Sequence, residues 1–232
     1  MRTFSTFVSN RPKALKWLDV IADKATSYED YRSSFQELGK ILGNIVVNDR
    51  NVKHKQVLLC CTNEDADWLA NGILESVSKD NTVFMSVLWN KRHSPGDNEA
   101  FAVAPVVKTY LEPIKSCDLL IICKSIIYTS CVVRSNIQYL FERVRPKHII
   151  ILSPVMYKGA DAKLRAEFPS RISNDFEFVY LAQDDEANAQ GEVVPGIGGS
   201  IYDRIGLGGK GNKNSYIPEI VKSRRSLSQP LA

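Results

Sequence analysis

Six glycines crowd between Val194 and Gly209, beginning with Val194-Pro195-Gly196-Ile197-Gly198-Gly199-Ser200 and continuing past Asp203-Arg204. Glycine removes the Cβ and permits positive φ, so such a run lets backbone approach a flat ligand closely. The alternative is a tight surface loop that holds nothing. Asp184, Asp185 and Asp203 stand near the run and are the carboxylates available if a glycosidic bond is cleaved there. A second group lies between Cys123 and Cys131, where Lys124, Ser125, Thr129 and Ser130 can donate to a phosphate at a helix N-terminus. Their other reading is as turn and cap residues. Lys91 and Arg92, with His93, suit either phosphate contact or plain solvation. Glu64 and Asp65 are either a metal pair or caps for the helix that follows, and the cap is favoured.

Cys60, Cys61, Cys117, Cys123 and Cys131 contain no C-x-x-C pair and no Cys/His ligand spacing. They argue against a zinc site and read as buried, reduced thiols, so no metal is expected. The net charge of +4 resides in the last 23 residues, where Lys210, Lys213, Lys222, Arg224 and Arg225 face only Glu219. A basic tail of this kind, 210–232, suits nucleic acid or an acidic partner, or simple solvation. No apolar run approaches the roughly 18 residues of a membrane helix. Residues 1–10 lack the apolar core of a signal peptide, and the expected location is cytoplasmic, with no membrane partner.

These residues need elements to position them. Apolar positions recur at helical spacing over 11–25 and 28–47, with Ser27 as a cap, giving N-terminal helices across 11–48. Short apolar runs then alternate with amphipathic stretches. Strands are predicted at 56–61, 82–89, 118–123, 148–152 and 176–181, and helices at 65–77, 132–144 and 160–168. The pattern predicts an α/β domain over 1–209, a parallel five-stranded sheet with helices on both faces. A polar insert at about 90–115, containing Pro95-Gly96-Asp97, reads as a flap or hairpin, and 184–209 as a hood loop. Ligands of such sheets bind beyond the carboxyl ends of the strands, which is where the groups above fall.

The segment Asp185-Glu186-Ala187-Asn188-Ala189-Gln190-Gly191-Glu192-Val193-Val194-Pro195-Gly196-Ile197-Gly198 resembles the C-terminal signature of uracil phosphoribosyltransferases. That signature is an acidic pair, a short turn, a G-x-I-V-P-G-L-G run and a G-D-R box, with Asp203-Arg204 here in the place of D-R. Residues Tyr31 to Gly39 look like the family's early helix, and Tyr110-Leu111-Glu112-Pro113 falls near the tyrosine-rich end of its flap. The resemblance spans roughly 28–209. It implies a type I phosphoribosyltransferase core with a hood, usually dimeric. It also implies that Val194 to Ser200, with Asp203 and Arg204, read the edge of a nucleobase. Mg²⁺ is implied only if phosphoribosyl pyrophosphate is bound.

The donor half departs from this pattern. The loop expected after the third predicted strand carries an acid and a T-G-G-S-like turn, whereas 123–131 has no acid and no glycine, and β-branched Ile126 and Ile127 instead. After the first predicted strand, Glu64 stands near the place of a pyrophosphate-holding arginine, and an acid there repels the anion. The expectation is a protein that has lost ordinary phosphoribosyl transfer and binds a nucleobase, nucleotide or partner as a regulatory or scaffold subunit. A homodimer, or a place in a larger assembly, goes with it. The alternatives are an active transferase or ribosyl-cleaving enzyme with an altered donor site, and nucleic-acid binding through the tail.

Overall fold

The computed structural model describes residues 1–93 and 102–228. A short strand β1 (Arg2–Phe4) and a helical turn α1 (Thr6–Ser9) lead into α2 (Pro12–Ala22) and α3 (Tyr28–Asn44). Pro12 opens α2, where its missing N–H would have no partner in any case. Ser27 caps α3, its hydroxyl accepting the Asp30 N–H at 3.1 Å.

Strands β2 (Gln56–Thr62), β3 (Thr82–Asn90), β4 (Val106–Leu111), β5 (Ser116–Cys123), β6 (Ile126–Ile127), β7 (Arg145–Tyr157) and β8 (Phe176–Asp184) join β1 in one sheet. The order is β1-β8-β7-β5-β2-β3-β4, with β6 beside β7. The five predicted strands are its parallel centre. The sheet nevertheless has eight strands rather than five. β1 and β6 are too short to show a period. β4 belongs to the polar insert and pairs antiparallel with β3 as an edge strand, so one flank of the flap is sheet. The rest of the flap, including Pro95-Gly96-Asp97, falls in 94–101, outside the described residues.

Alternation along the strands divides the core in two. Val57, Leu59 and Cys61 of β2 face a cluster built with Leu38 and Leu42 of α3 and with Ile73 of α4 (Asn71–Val77). Leu58 and Cys60 face Val133, Ile137 and Leu140 of α5 (Cys131–Phe141) and Leu164 of α6 (Ala160–Ala166). Helices therefore cover both faces, and the sheet interior is apolar on both sides as its runs predict. α3 crosses the start of α4 closely: a Cβ on Gly72 would lie 2.1 Å from the Gln36 carbonyl oxygen. The short helix α7 (Ser170–Ser173) precedes β8. After β8 come a two-stranded ribbon, β9 (Glu186–Ala187) with β10 (Val193–Val194), and the turn α8 (Ile201–Arg204). The final helix α9 (Glu219–Ser228) is not a solvated tail, because Val221 is fully buried in the core.

β2 has β3 on one side and β5 on the other, so successive crossovers leave it in opposite directions. The crevice at the carboxyl ends of β2 and β5 is the switch point at which open α/β sheets take ligands.

Candidate functional site

The parallel register pairs Cys61 with Cys123, which sets the ends of β2 and β5 side by side. Asn63, Glu64 and Asp65 leave β2 in one tight turn, and Lys124 and Ser125 leave β5 beside them. All five residues are buried. The Lys124 ammonium lies 2.6 Å from Asp65 Oδ2 and 3.3 Å from Glu64 Oε1. Asp65 also accepts the Thr62 hydroxyl at 2.7 Å and the Ser125 N–H at 3.3 Å. From the far end of the chain, Lys213 brings a second ammonium to 3.5 Å from Glu64 Oε1, and the Tyr202 hydroxyl donates to the same oxygen at 3.1 Å.

Two carboxylates and two ammonium groups thus meet in a buried cluster whose formal charge sums to zero. Burial alone would push the Glu64 carboxyl up, but the Lys124 and Lys213 ammonium groups outweigh it and bring it down to about 2. Burial opposes the charge on Lys124, yet Asp65 and Glu64 hold its ammonium above the usual range. For Lys213 burial wins and its affinity for a proton falls. Burial, reinforced by Glu64, raises the Tyr202 phenol. In this setting Asp65 does not act as a side-chain cap, the role favoured from sequence; no capping bond forms. The carboxylate instead neutralises Lys124. The residues do not fit Mg²⁺ either. Glu64 Oε2 and the amide oxygen of Asn63 are the unmatched oxygens of the turn, Glu64 is already held by two ammonium groups, and no cluster of three or more candidate metal ligands exists among the described residues.

The anion-binding candidates scatter around this cluster. Lys124 and Ser125 are inside it, with Ser125 Oγ accepting from Lys124 Nζ at 3.1 Å. Thr129 Oγ1 accepts from Arg92 at 3.3 Å, so the basic run does meet the end of the 123–131 loop, while Lys91 is exposed. Ser130 occupies the N-cap of α5 at φ +59° but makes no capping bond, and its buried hydroxyl has no partner. No glycine nest forms there.

The glycine-rich loop folds inward. Arg2 clamps Asp184 with two bonds of 2.8 and 2.7 Å and donates to the Gly196 carbonyl at 2.6 Å, while Asp184 accepts the Gly196 N–H at 2.9 Å. The Val194–Pro195 peptide is cis. The Tyr31 hydroxyl donates to the Ile197 carbonyl at 2.8 Å. Gly198 sits at φ +71° against α2, where a Cβ would come within 2.7 Å of the Ile21 carbonyl oxygen. Arg204 donates to the Lys24 and Asp23 carbonyls at 2.6 and 2.8 Å and lies over the Tyr31 ring. Asp203 is exposed, and Asp185 pairs with the N-terminal amine of Met1. The loop is open at Gly199, where a Cβ would meet nothing within 4 Å, and beside it Ser200 Oγ is buried without a partner. Val194 is exposed at the rim.

Sequence reasoning missed Arg2, Asn63, Tyr202 and the role of Lys213. Each acts on a partner at least 138 residues away, so no local pattern signals it.

No family model and no curated protein matches the sequence. Among solved structures, the fold is similar to that of the AQ2163 protein from Aquifex aeolicus. The identity is 17%, over 84% of this chain and 95% of that one, with a TM-score of 0.67. The TT1426 protein from Thermus thermophilus shares 13% identity over 68% and 88% of the two chains, at TM-score 0.46. A hypoxanthine-guanine phosphoribosyltransferase from Bacillus anthracis shares 13% over 54% and 70%, at 0.40. Of these three, the first establishes a shared fold and the other two bear no weight.

Proposed function

We propose that the chain is a uracil phosphoribosyltransferase-like protein without ordinary phosphoribosyl transfer, serving as a nucleobase-, nucleotide- or partner-binding regulatory or scaffold subunit. The observation that carries this reading is the buried cluster at the switch point. A pyrophosphate donor needs cations and exposed N–H groups there. Both buried ammonium groups are instead matched by Glu64 and Asp65. An entering pyrophosphate would have to displace two buried carboxylates from their cations, an exchange that strands negative charge in a site of low polarity. The nucleobase half of the reading rests on the resemblance of 185–198, on the open space at Gly199 and on the unpartnered Ser200 hydroxyl beside it.

The reading with an altered donor site needs a carboxylate free to face a ribose. Asp184 is fully buried in its clamp with Arg2 and Asp185 is held by the N-terminus, which leaves the exposed Asp203 as the candidate outside such a clamp. No observation favours that alternative over the first.

The test has two arms. Purified protein incubated with uracil, phosphoribosyl pyrophosphate and Mg²⁺ is expected to form no uridine monophosphate above the protein-free control. Steady turnover sinks the reading. Calorimetric titration with uracil and with uridine monophosphate then separates a retained base pocket from a partner-binding scaffold.

A further inference from the structure

Residues 213–216 lie at the carboxyl ends of β2 and β3, and the helix that follows runs back to the amino end of β3, where Arg224 donates to the Val83 carbonyl at 3.1 Å; the whole segment is held as a peptide would be. Asn63 Nδ2 donates to the Lys213 carbonyl at 2.7 Å, and Trp89 Nε1 to the Tyr216 carbonyl at 2.8 Å. Glu64 takes the Lys213 ammonium. The Tyr216 hydroxyl donates to Asp67, whose two carboxylate oxygens also accept the N–H groups of Glu219 and Ile220, each at 2.9 Å. Asp67 thus caps the first turn of α9 from outside the helix, matching a carboxylate to its positive end. Further on, Glu112 receives Arg224 through two bonds of 2.6 and 2.9 Å. Ile217 and Ile220 pack on the core, and Val221 is buried in it.

Each of these body groups reads a feature any suitable peptide carries: an ammonium, two backbone carbonyls, a phenol, a helix start, a guanidinium, an apolar stripe. Their charges agree, since Glu64, Asp67 and Glu112 are acids and Lys213 and Arg224 are cations. The link to the body is glycine-rich, with Gly206, Gly208 and Gly209 all at positive φ and Gly211 clear of neighbouring atoms. Packing beside the strap is incomplete, leaving an open cavity of about 630 Å³ between Trp68, Leu74, Leu207 and Ile220.

We propose that this crevice is a peptide-binding site whose resident occupant is the chain's own strap. In trans it takes a basic peptide with a lysine, a tyrosine three residues later, and a helix that begins three residues beyond the tyrosine. Apolar side chains in the positions of Ile217, Ile220 and Val221 anchor that helix. Such recognition combines backbone hydrogen bonds with pockets for side chains. A tethered strap competes at an effective concentration on the order of millimolar, so the intact chain resists exchange until the strap is loosened. This gives a chemistry to the partner-binding side of the reading above. It is tested separately, because a failed uracil titration leaves peptide exchange untouched.

The experiment inserts a specific protease site between Gly209 and Lys210 of the full chain, which is folded first and then nicked. A fluorescein-labelled synthetic peptide of residues 210–228 is added and its anisotropy followed. Exchange into the nicked protein is expected to be saturable, with at least tenfold weaker binding for a peptide carrying Lys213→Ala and Tyr216→Ala. In the uncleaved chain, Arg224→Ala loosens the strap, and severalfold more labelled peptide is expected to bind than to the wild type. A cleaved strap that never exchanges, or whose release unfolds the body, shows a permanent part of the core and overturns the proposal. Equal binding of the two peptides overturns it as well.

Discussion

Replacing Lys124 with Met removes the central cation of the switch-point cluster while keeping most of the side-chain volume. Lys124 is buried, and its ammonium is the nearer of the two to the carboxylates, at 2.6 Å from Asp65 and 3.3 Å from Glu64. Removing one partner of a buried ion pair costs about 3–5 kcal/mol, because the other charge is left without compensation. The Glu64 carboxyl agrees in direction, because the Lys124 and Lys213 ammonium groups together hold it below its ordinary range against the effect of burial. A domain is stable by only about 5–15 kcal/mol, so Lys124→Met is expected to lower Tm by roughly 10 °C. The sign of the pH dependence separates this cause from lost packing. In the wild type the folded Glu64 carboxyl is depressed, so its contribution is complete above pH 4.5 and fades as pH falls toward 2. In the variant the stranded carboxylates are destabilised by burial, so the folded protein takes up protons first and the deficit narrows from pH 8 to pH 5. Urea unfolding followed by tryptophan fluorescence at pH 5, 7 and 8 measures it. Adding Asp65→Asn, which leaves Glu64 matched to Lys213, is expected to recover most of the loss. A deficit below about 1 kcal/mol, or one equal at pH 5 and pH 8, refutes the reasoning.

Other perturbations probe the glycine-rich loop and the thiols. Arg2→Ala strands the fully buried Asp184 carboxylate and is expected to cost about 3–5 kcal/mol in chemical denaturation; a loss under 1 kcal/mol contradicts the clamp. Gly198→Ala places a Cβ 2.7 Å from the Ile21 carbonyl oxygen at φ +71°, and calorimetry is expected to show about 2 kcal/mol or more of destabilisation. All five cysteines are free and buried, with burial raising the thiols of Cys60 and Cys61 and lifting Cys117 to about 11. Native protein at pH 8 is therefore expected to react with Ellman's reagent only after denaturant is added; rapid labelling of the folded chain contradicts this.

The sequence by itself determined the class, the five central strands and the helices that cover them. Apolar runs such as 56–61 and 118–123, spaced by amphipathic helices, specify a parallel sheet buried on both faces, because burial imposes a local period on the residues. It also located the glycine-rich loop, since positive φ at Gly196, Gly198 and Gly199 demands glycine wherever the chain later goes. Only the tertiary structure decided what the charged residues do. Lys124 and Asp65 are 59 residues apart, and Asn63 and the strap 150; parallel pairing of β2 with β5 brings the first two together, and the fold of 210–228 adds Lys213. The edge strands β1 and β4 escape sequence reading because a short or half-exposed strand carries little periodic signal. The basic excess of 210–228 reads in sequence as a contact for nucleic acid or an acidic partner, or as a solvated tail, yet Glu64 and Glu112 meet Lys213 and Arg224 in the fold. A charge shows its sign in the sequence, but its partner is fixed by which strands lie side by side.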